Sequence, residues 1–339
     1  IVSANTALWK PLPRFGGYES HKSNSISFSK SKKHLKKIYL QSNKNFTIYC
    51  GCSFDSNKQI DHTSCNYSPH KDKNKRSHRL EFEHIVPAHA LGKNLQCWKK
   101  PICEKRNGKK YKGRKCCSKV SDEFQQMQSD MHNLFPTVGE VNGDRSNFVF
   151  GEIDGEEREY GKCDFEVAKR IAEPKKSIRG DIARSYFYMS HQYKMLIPDD
   201  YEEMLREWHL SDPPDEWERD RNSLIEDVQG NRNPFIDHPN LVNFIWGDNY
   251  GEEWNESLSI TNVDSEDDFK IYPNPTNGEI FFNSTLNNSK IEIYSEIGKR
   301  VYDIENVNSN KIQLLLSSGV YIMRIINDSE ILYKKIVIN

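Results

Sequence analysis

Eight cysteines, Cys50, Cys52, Cys65, Cys97, Cys103, Cys116, Cys117 and Cys163, fall inside one stretch of a 339-residue chain, and the remainder has none. Their number is even and their spacing irregular. Cys50-x-Cys52 and the adjacent pair Cys116-Cys117 are not the paired C-x₂₋₄-C knuckles that structural zinc takes. The stretch is therefore read as a loop-rich region stapled by disulfides in an exported protein, with zinc as the rival reading. The sequence does not choose among the many pairings that eight cysteines allow. The chain opens at Ile1 without a methionine or a basic, apolar leader, so export is argued from other features. No run approaches the apolar length that a membrane span needs.

The formal net charge of −1 conceals a division: residues 1–120 hold 26 Lys/Arg against 7 Asp/Glu, and residues 121–339 hold 22 against 42. A basic half on an acidic protein is the footprint of a polyanion binder, because each cation that neutralises a phosphate releases counterion. The alternative is a solvated, charge-rich surface.

The length suits a larger and a smaller unit. Residues 1–27 show no period and are expected to form an arm. The run from Phe28 to Leu40 predicts a basic amphipathic helix capped by Ser29, with Leu35, Ile38 and Tyr39 inward. Arg79 to Glu83 alternates like a half-buried strand that ends at His84. Ser121 to Phe135 predicts a helix interrupted by Pro136, followed by a short helix from Val138 to Asn142 stopped by Gly143. Further helices are expected over Ile178 to Met195, Tyr201 to His209 and Pro214 to Gln229, the last ended by Gly230. A polar linker is expected over 246–268. From Phe269 to Asn339 short β-branched and aromatic runs alternate with turn signals at Asn274 to Gly278, Ile297-Gly298 and Ser317 to Gly319. They predict a small sandwich of five to seven strands.

The densest cluster of reactive groups is Glu81-x-Glu83-His84-x₂-Pro87-x-His89, with Asp130-x-His132-Asn133 and Gly139 to Arg145 later in the chain. Taken singly each has an ordinary explanation: a hydrogen-bonded core histidine, a turn at Asn142-Gly143, a solvated glutamate. His84 and His89 lack the H-E-x-x-H pattern of a zincin. Together they supply what phosphodiester hydrolysis requires. A neutral imidazole can take a proton from water, and a carboxylate with a carboxamide oxygen suits Mg²⁺, with Mn²⁺ and Ca²⁺ also compatible.

Phe28-Ser29-Lys30, Tyr49-Cys50-Gly51-Cys52, Glu81 to Ala88, Asp130 to Leu134, Gly139 to Asn147, Arg179 to Arg184 and Gln229 to Phe235 resemble, in order, the motifs of the bacterial endonuclease I family. The resemblance spans roughly residues 28–242. It implies an α+β fold: a ββα-metal nuclease core with mostly helical surroundings over 28–245, plus a small C-terminal all-β sandwich over 269–339. It implies non-specific cleavage of DNA and RNA that leaves 5′-phosphates. Carried over by position, Glu83 and Asn142 match the metal ligands, His84 the general base, and Arg114 the arginine on the scissile phosphate. Lys115 and Arg145 are expected beside Arg114 as nucleic-acid contacts. Glu83 and His84 are neighbours, and neighbours on a regular strand face opposite ways, so the pair is expected where the strand ends.

The C-terminal segment resembles the type IX secretion sorting domains, on Tyr272-Pro273-Asn274-Pro275-x-Asn277-Gly278, Ile293-Tyr294-x₃-Gly298 and Gly319-Val320-Tyr321. This implies export across the outer membrane, with the secretion machinery as a partner and later removal of the domain often following. The rival reading of the segment is an ordinary sandwich module that binds sugar or stabilises the enzyme. The protein is separately expected to be a monomer. The competing function is a secreted nucleic-acid-binding or adhesive protein whose hydrolytic site is vestigial.

Overall fold

The computed structural model describes residues 26–71, 75–155, 158–252, 254, 269–295, 299–327 and 331–339. Of the arm expected over 1–27, residues 1–25 lie outside them, as do residues 253 and 255–268 of the linker expected over 246–268 and the Ile297-Gly298 turn. The chain divides into two compact units, residues 1–256 and 257–339.

The first unit is mostly helical around three small sheets. Helix α1 (Phe28–Gln41) buries Leu35, Ile38 and Tyr39 at the expected spacing. Its cap is Ser27 and not Ser29: Ser27 is extended, and its carbonyl accepts from Ser31. The helix thus starts a residue before the expected cap. Strand β1 (Leu80–His84) is followed by α2 (Ala88–Gly92), α3 (Gln96–Lys99), a small hairpin of β2 (Cys103–Glu104) and β3 (Lys110–Tyr111), α4 (Arg114–Val120) and α5 (Asp122–Ser129).

The expected continuation of α5 to Phe135 does not form. Asp130 leaves helical geometry, its side chain accepting from His132 N–H and from the hydroxyls of Tyr188 and Tyr193. These local and long-range bonds outweigh helix propensity. After a single 3₁₀ turn the chain extends as β4 (Leu134–Val138), antiparallel to β1, with His84 opposite Leu134 and Phe82 opposite Pro136. A two-stranded sheet has only edges, so Pro136 is tolerated. Its carbonyl accepts from Ile48 N–H.

Helix α6 (Gly139–Arg145) follows β4 directly and completes a ββα unit with β1. Gly143 does not stop this helix but lies within it. A Cβ there would meet Arg76 Nη1 at 2.3 Å, so glycine admits the arginine.

A sheet that the sequence did not announce comes next: β5 (Val149–Phe150), β6 (Phe165–Ala168) and β7 (Ile171–Pro174), in the order β5-β7-β6. Helices α7 (Arg179–Tyr193), α8 (Asp199–Ser211) and α9 (Glu216–Gln229) lie where expected. Asp215 and Glu218 form a capping box at the start of α9, and Gly230 ends it at φ +83°. Two short helices, α10 (Pro234–Asp237) and α11 (Leu241–Ile245), close the unit. The first unit also continues past residue 245, because Trp246 packs its ring on Phe187 and Phe235 and Trp254 is buried as well.

All eight cysteines are paired, Cys50–Cys163, Cys52–Cys65, Cys97–Cys117 and Cys103–Cys116, which removes the zinc reading.

The second unit is a two-sheet sandwich. Strands β8 (Ile271–Tyr272), β9 (Glu279–Phe282), β10 (Ser289–Ser295), β11 (Arg300–Val307), β12 (Lys311–Gln313), β13 (Gly319–Ile326) and β14 (Ile331–Ile338) form sheets ordered β11-β10-β13-β14 and β12-β9-β8. Ile280, Phe282, Ile291, Ile293, Met323 and Ile336 fill the space between them.

Candidate active site

A groove of about 760 Å³ runs over the ββα unit, and Glu83, His84, Arg114 and Asn142 all line it. Four residues spread over 59 positions of sequence are thus brought to one surface by β1, α4 and α6.

Strand β1 ends at His84, where alternation gives way to continuous burial over Phe82, Glu83 and His84. The imidazole is only 7% exposed. Its Nε2 lies 2.8 Å from the carbonyl oxygen of Gln128, at the end of α5. A carbonyl only accepts, so Nε2 carries the hydrogen and Nδ1 keeps its lone pair. Burial, reinforced by the charge of Arg114, lowers the His84 pKa to about 3 and keeps the ring neutral. Phe28 stacks beside it with centroids 5.1 Å apart, and the same phenyl ring carries Lys32 and Arg114.

Glu83 is 2% exposed, and burial raises its carboxyl to about 7 against the pull of Arg145. Its Oε1 accepts from Arg145 Nη1 at 2.6 Å and from the Tyr49 hydroxyl at 3.3 Å. Among the described residues its Oε2 has no hydrogen-bond donor.

Asn142 donates from Nδ2 to Glu81 Oε2 at 2.7 Å. That bond leaves the carboxamide oxygen without a donor among the described residues. Glu81 in turn is held by Arg76 at 2.6 Å and 3.0 Å and by Arg79 at 2.9 Å. Burial pushes the Glu81 carboxyl up, but the two guanidinium groups win and it lies below the ordinary range. Glu81 and Glu83 share one face of β1. In sequence Glu81 belongs to the reactive cluster without a part of its own; the signal that could have found its role is its i, i+2 spacing from Glu83 beside Arg76 and Arg79.

Arg114 sits at the groove wall, with Nε 3.4 Å from Gln128 Oε1. Lys115 is exposed on α4 and does not line the groove. Arg145 departs from its expected part. It is 1% exposed and spends its guanidinium on Glu83 and on the carbonyls of His84 (2.8 Å) and Ile85 (2.6 Å), with Phe150 beneath it. It lines the groove but its guanidinium is taken up in fixing the end of β1. The pattern Gly139 to Arg145 could not reveal this, because which way the last residue of α6 points depends on the packing of β1 below it. Lys32 and Lys58 line the groove too, and burial followed by repulsion from Lys58 and Arg114 lowers the pKa of Lys32. Such crowding of cations makes the groove attractive to a polyanion.

Comparison with known proteins places the two units in known families. Residues 24–240 match the family model described as Endonuclease I, and residues 270–339 match that of a secretion system C-terminal sorting domain. The chain is 43% identical over 224 residues to an extracellular deoxyribonuclease of Aeromonas hydrophila, covering 64% of this chain and 91% of that protein. It is 43% identical over 217 residues to a periplasmic deoxyribonuclease of the same organism, covering 62% and 85%. An extracellular ribonuclease of Bacillus subtilis is 35% identical over 139 residues, covering 35% and 46%.

Proposed function

Taking as premise that the chain belongs to the endonuclease I family and is a secreted nuclease, we propose that it hydrolyses DNA and RNA with little sequence specificity, with a divalent metal, and leaves 5′-phosphates. The single observation that carries this reading is the His84 tautomer. Nε2–H is tied to Gln128, so the lone pair of Nδ1 is available in a cationic groove lined also by Glu83 and Asn142.

The donor set fits Mg²⁺. Glu83 Oε2 and Asn142 Oδ1 are hard oxygen ligands, each left without a protein donor among the described residues. Mg²⁺ commonly takes one or two carboxylates and keeps several waters. Mn²⁺ and Ca²⁺ would accept the same donors. When bound, the ion supplies Lewis-acid stabilisation of the departing oxygen.

The side chains do the rest. His84 Nδ1 accepts a proton from the attacking water. The Arg114 guanidinium neutralises charge that grows on the non-bridging oxygens. Glu81 holds the Asn142 amide so that its oxygen is presented, and Arg145 pins Glu83. The parts given to these groups concern water, phosphate and metal and not base edges, as cleavage indifferent to sequence requires. The secretion system sorting domain sets the protein's partner outside catalysis, the export machinery.

Incubating purified protein with supercoiled plasmid and with RNA in Mg²⁺, and in parallel with excess chelator, tests the reading. Nicking of both polymers in Mg²⁺ alone, with 5′-phosphate ends, is the expected result. Binding without nicking in either condition would instead favour a vestigial site.

A further inference from the structure

The seven cations between Lys99 and Lys112, set against the single acid Glu104, have no part in the site described above. Lys105, Arg106, Lys109 and Lys110 lie on the hairpin β2–β3 and its turn, Lys99, Lys100 and Lys112 flank it, and all seven are exposed. Cys103 is the one buried residue among 99–112. Apart from a bond from Lys112 Nζ to the Lys99 carbonyl at 3.2 Å, these side chains lack carboxylate or other partners among the described residues.

A segment that buries so little is nevertheless rigidly built. Cys103 pairs across the strands with Tyr111, and Glu104 with Lys110. The turn closes through Lys105 N–H to the Lys109 carbonyl, with Gly108 at φ +77°. One disulfide, Cys103–Cys116, fastens the hairpin to α4, and a second, Cys97–Cys117, ties α3 at the hairpin's base to the next residue of α4. Packing explains little of this, because the core gains only Cys103 and the half-buried ring of Tyr111. Crowded like charges also repel, so the hairpin by itself is a liability to the fold.

The position of the hairpin resolves the puzzle. Its two feet are Trp98 and Arg114, and both line the groove. From Cys103 to the turn that begins after Lys105 the outward leg can reach about 10 Å, roughly the length of three base pairs along a duplex.

We propose that the hairpin is a second phosphate-binding arm that grips the nucleic-acid backbone several nucleotides away from the scissile bond. This rests on the nuclease reading and extends it from the reacting phosphate to the flanking duplex. Because the arm is covalently fixed, its cations are ordered before binding, and little conformational entropy is lost on contact. The arm recognises regularly spaced phosphates, adds affinity without sequence preference, and makes long polymers better substrates than short ones.

The test replaces Lys105, Arg106, Lys109 and Lys110 together by Gln in the full chain. Duplex affinity is measured in chelator across salt, and cleavage is measured in Mg²⁺. Once these four cations no longer neutralise phosphates, the slope of log K against log salt should become shallower by about 3 to 4. At about 150 mM salt, KM for a duplex of about 30 bp should rise at least 10-fold, while kcat/KM on an oligonucleotide of about six nucleotides stays unchanged. An unchanged slope and KM would overturn the proposal and leave the hairpin a solvated face. An equal loss on both substrates would also overturn it, by making the hairpin a support of the catalytic groove. The salt slope reads the arm even without hydrolysis, and the short substrate reads the nuclease even without the arm, so either failure is distinguishable from the other.

Discussion

Arg145 reaches from the end of α6 to the carbonyl of His84, across 2.8 Å, and so holds in place the backbone of the residue that carries the proposed base. The same Nη1 also grips Glu83 at 2.6 Å. One buried cation therefore fixes the side chain of one neighbour and the backbone of the next.

Replacing Arg145 by Met should accordingly cost about 3–5 kcal/mol of folding stability, because a buried carboxylate and two main-chain carbonyls lose their donor together. Urea denaturation of the metal-free protein measures it. A variant of wild-type stability, with only a weaker salt dependence of DNA binding, would return Arg145 to the role of a phosphate contact.

Glu81 acts through Asn142. In Glu81→Gln the carboxylate that orders both the amide and two arginines is gone, and metal affinity should fall about 10- to 100-fold, as is usual when a group supporting a ligand is altered. A Mn²⁺ titration reads this directly. Unchanged affinity with lowered stability alone would make Glu81 a structural ion-pair partner and nothing more.

Burial sets the acid limit of the fold. His132 and His209 are held neutral, with pKa values lowered by burial to about 4 and about 3, and their Nδ1 atoms have no partner to receive a new proton. Below pH 6.5 the unfolded chain takes protons that the native one refuses, so this stability is fully present above 6.5 and is lost as pH falls. Each histidine costs about 1.4 kcal/mol per pH unit over that window. Glu83 works the other way, because its carboxyl is raised to about 7. Its contribution is complete below 4.5 and fades as pH rises through 7. His209→Gln, whose amide can still donate to the Pro239 carbonyl that His209 Nε2 contacts at 2.8 Å, isolates one histidine. Relative to wild type its stability should fall less steeply with acid, by about 1.4 kcal/mol per pH unit between 6.5 and 4.5. Parallel curves would show that His209 is not a buried neutral base.

What could be read from the sequence was local. The apolar spacing of Leu35, Ile38 and Tyr39 announces α1, and Gly230 announces the end of α9. The break at His84 announces the end of β1. Glu83, His84, Arg114 and Asn142 were legible as a group because their motifs recur in order, and the groove does bring them together. The rest depends on partners far away in the chain. Leu134 and Phe135 fit a helical stripe until Asp130 is claimed by Tyr188, Tyr193 and Gln229. Gly143 looks like a stop until Arg76 is seen against it. Arg145 looks like a phosphate ligand until β1 is packed beneath α6. The Cys50–Cys163 pairing closes a separation of 113 residues that no spacing rule marks.

The proposed chemistry converges on one nitrogen. The most direct measurement is turnover of His84→Ala on plasmid DNA in saturating Mg²⁺, alongside DNA affinity in chelator. A fall of about 10²- to 10⁴-fold in kcat with affinity nearly unchanged is the expected result. Cleavage at the wild-type rate would contradict the account, because no base would then be working at Nδ1.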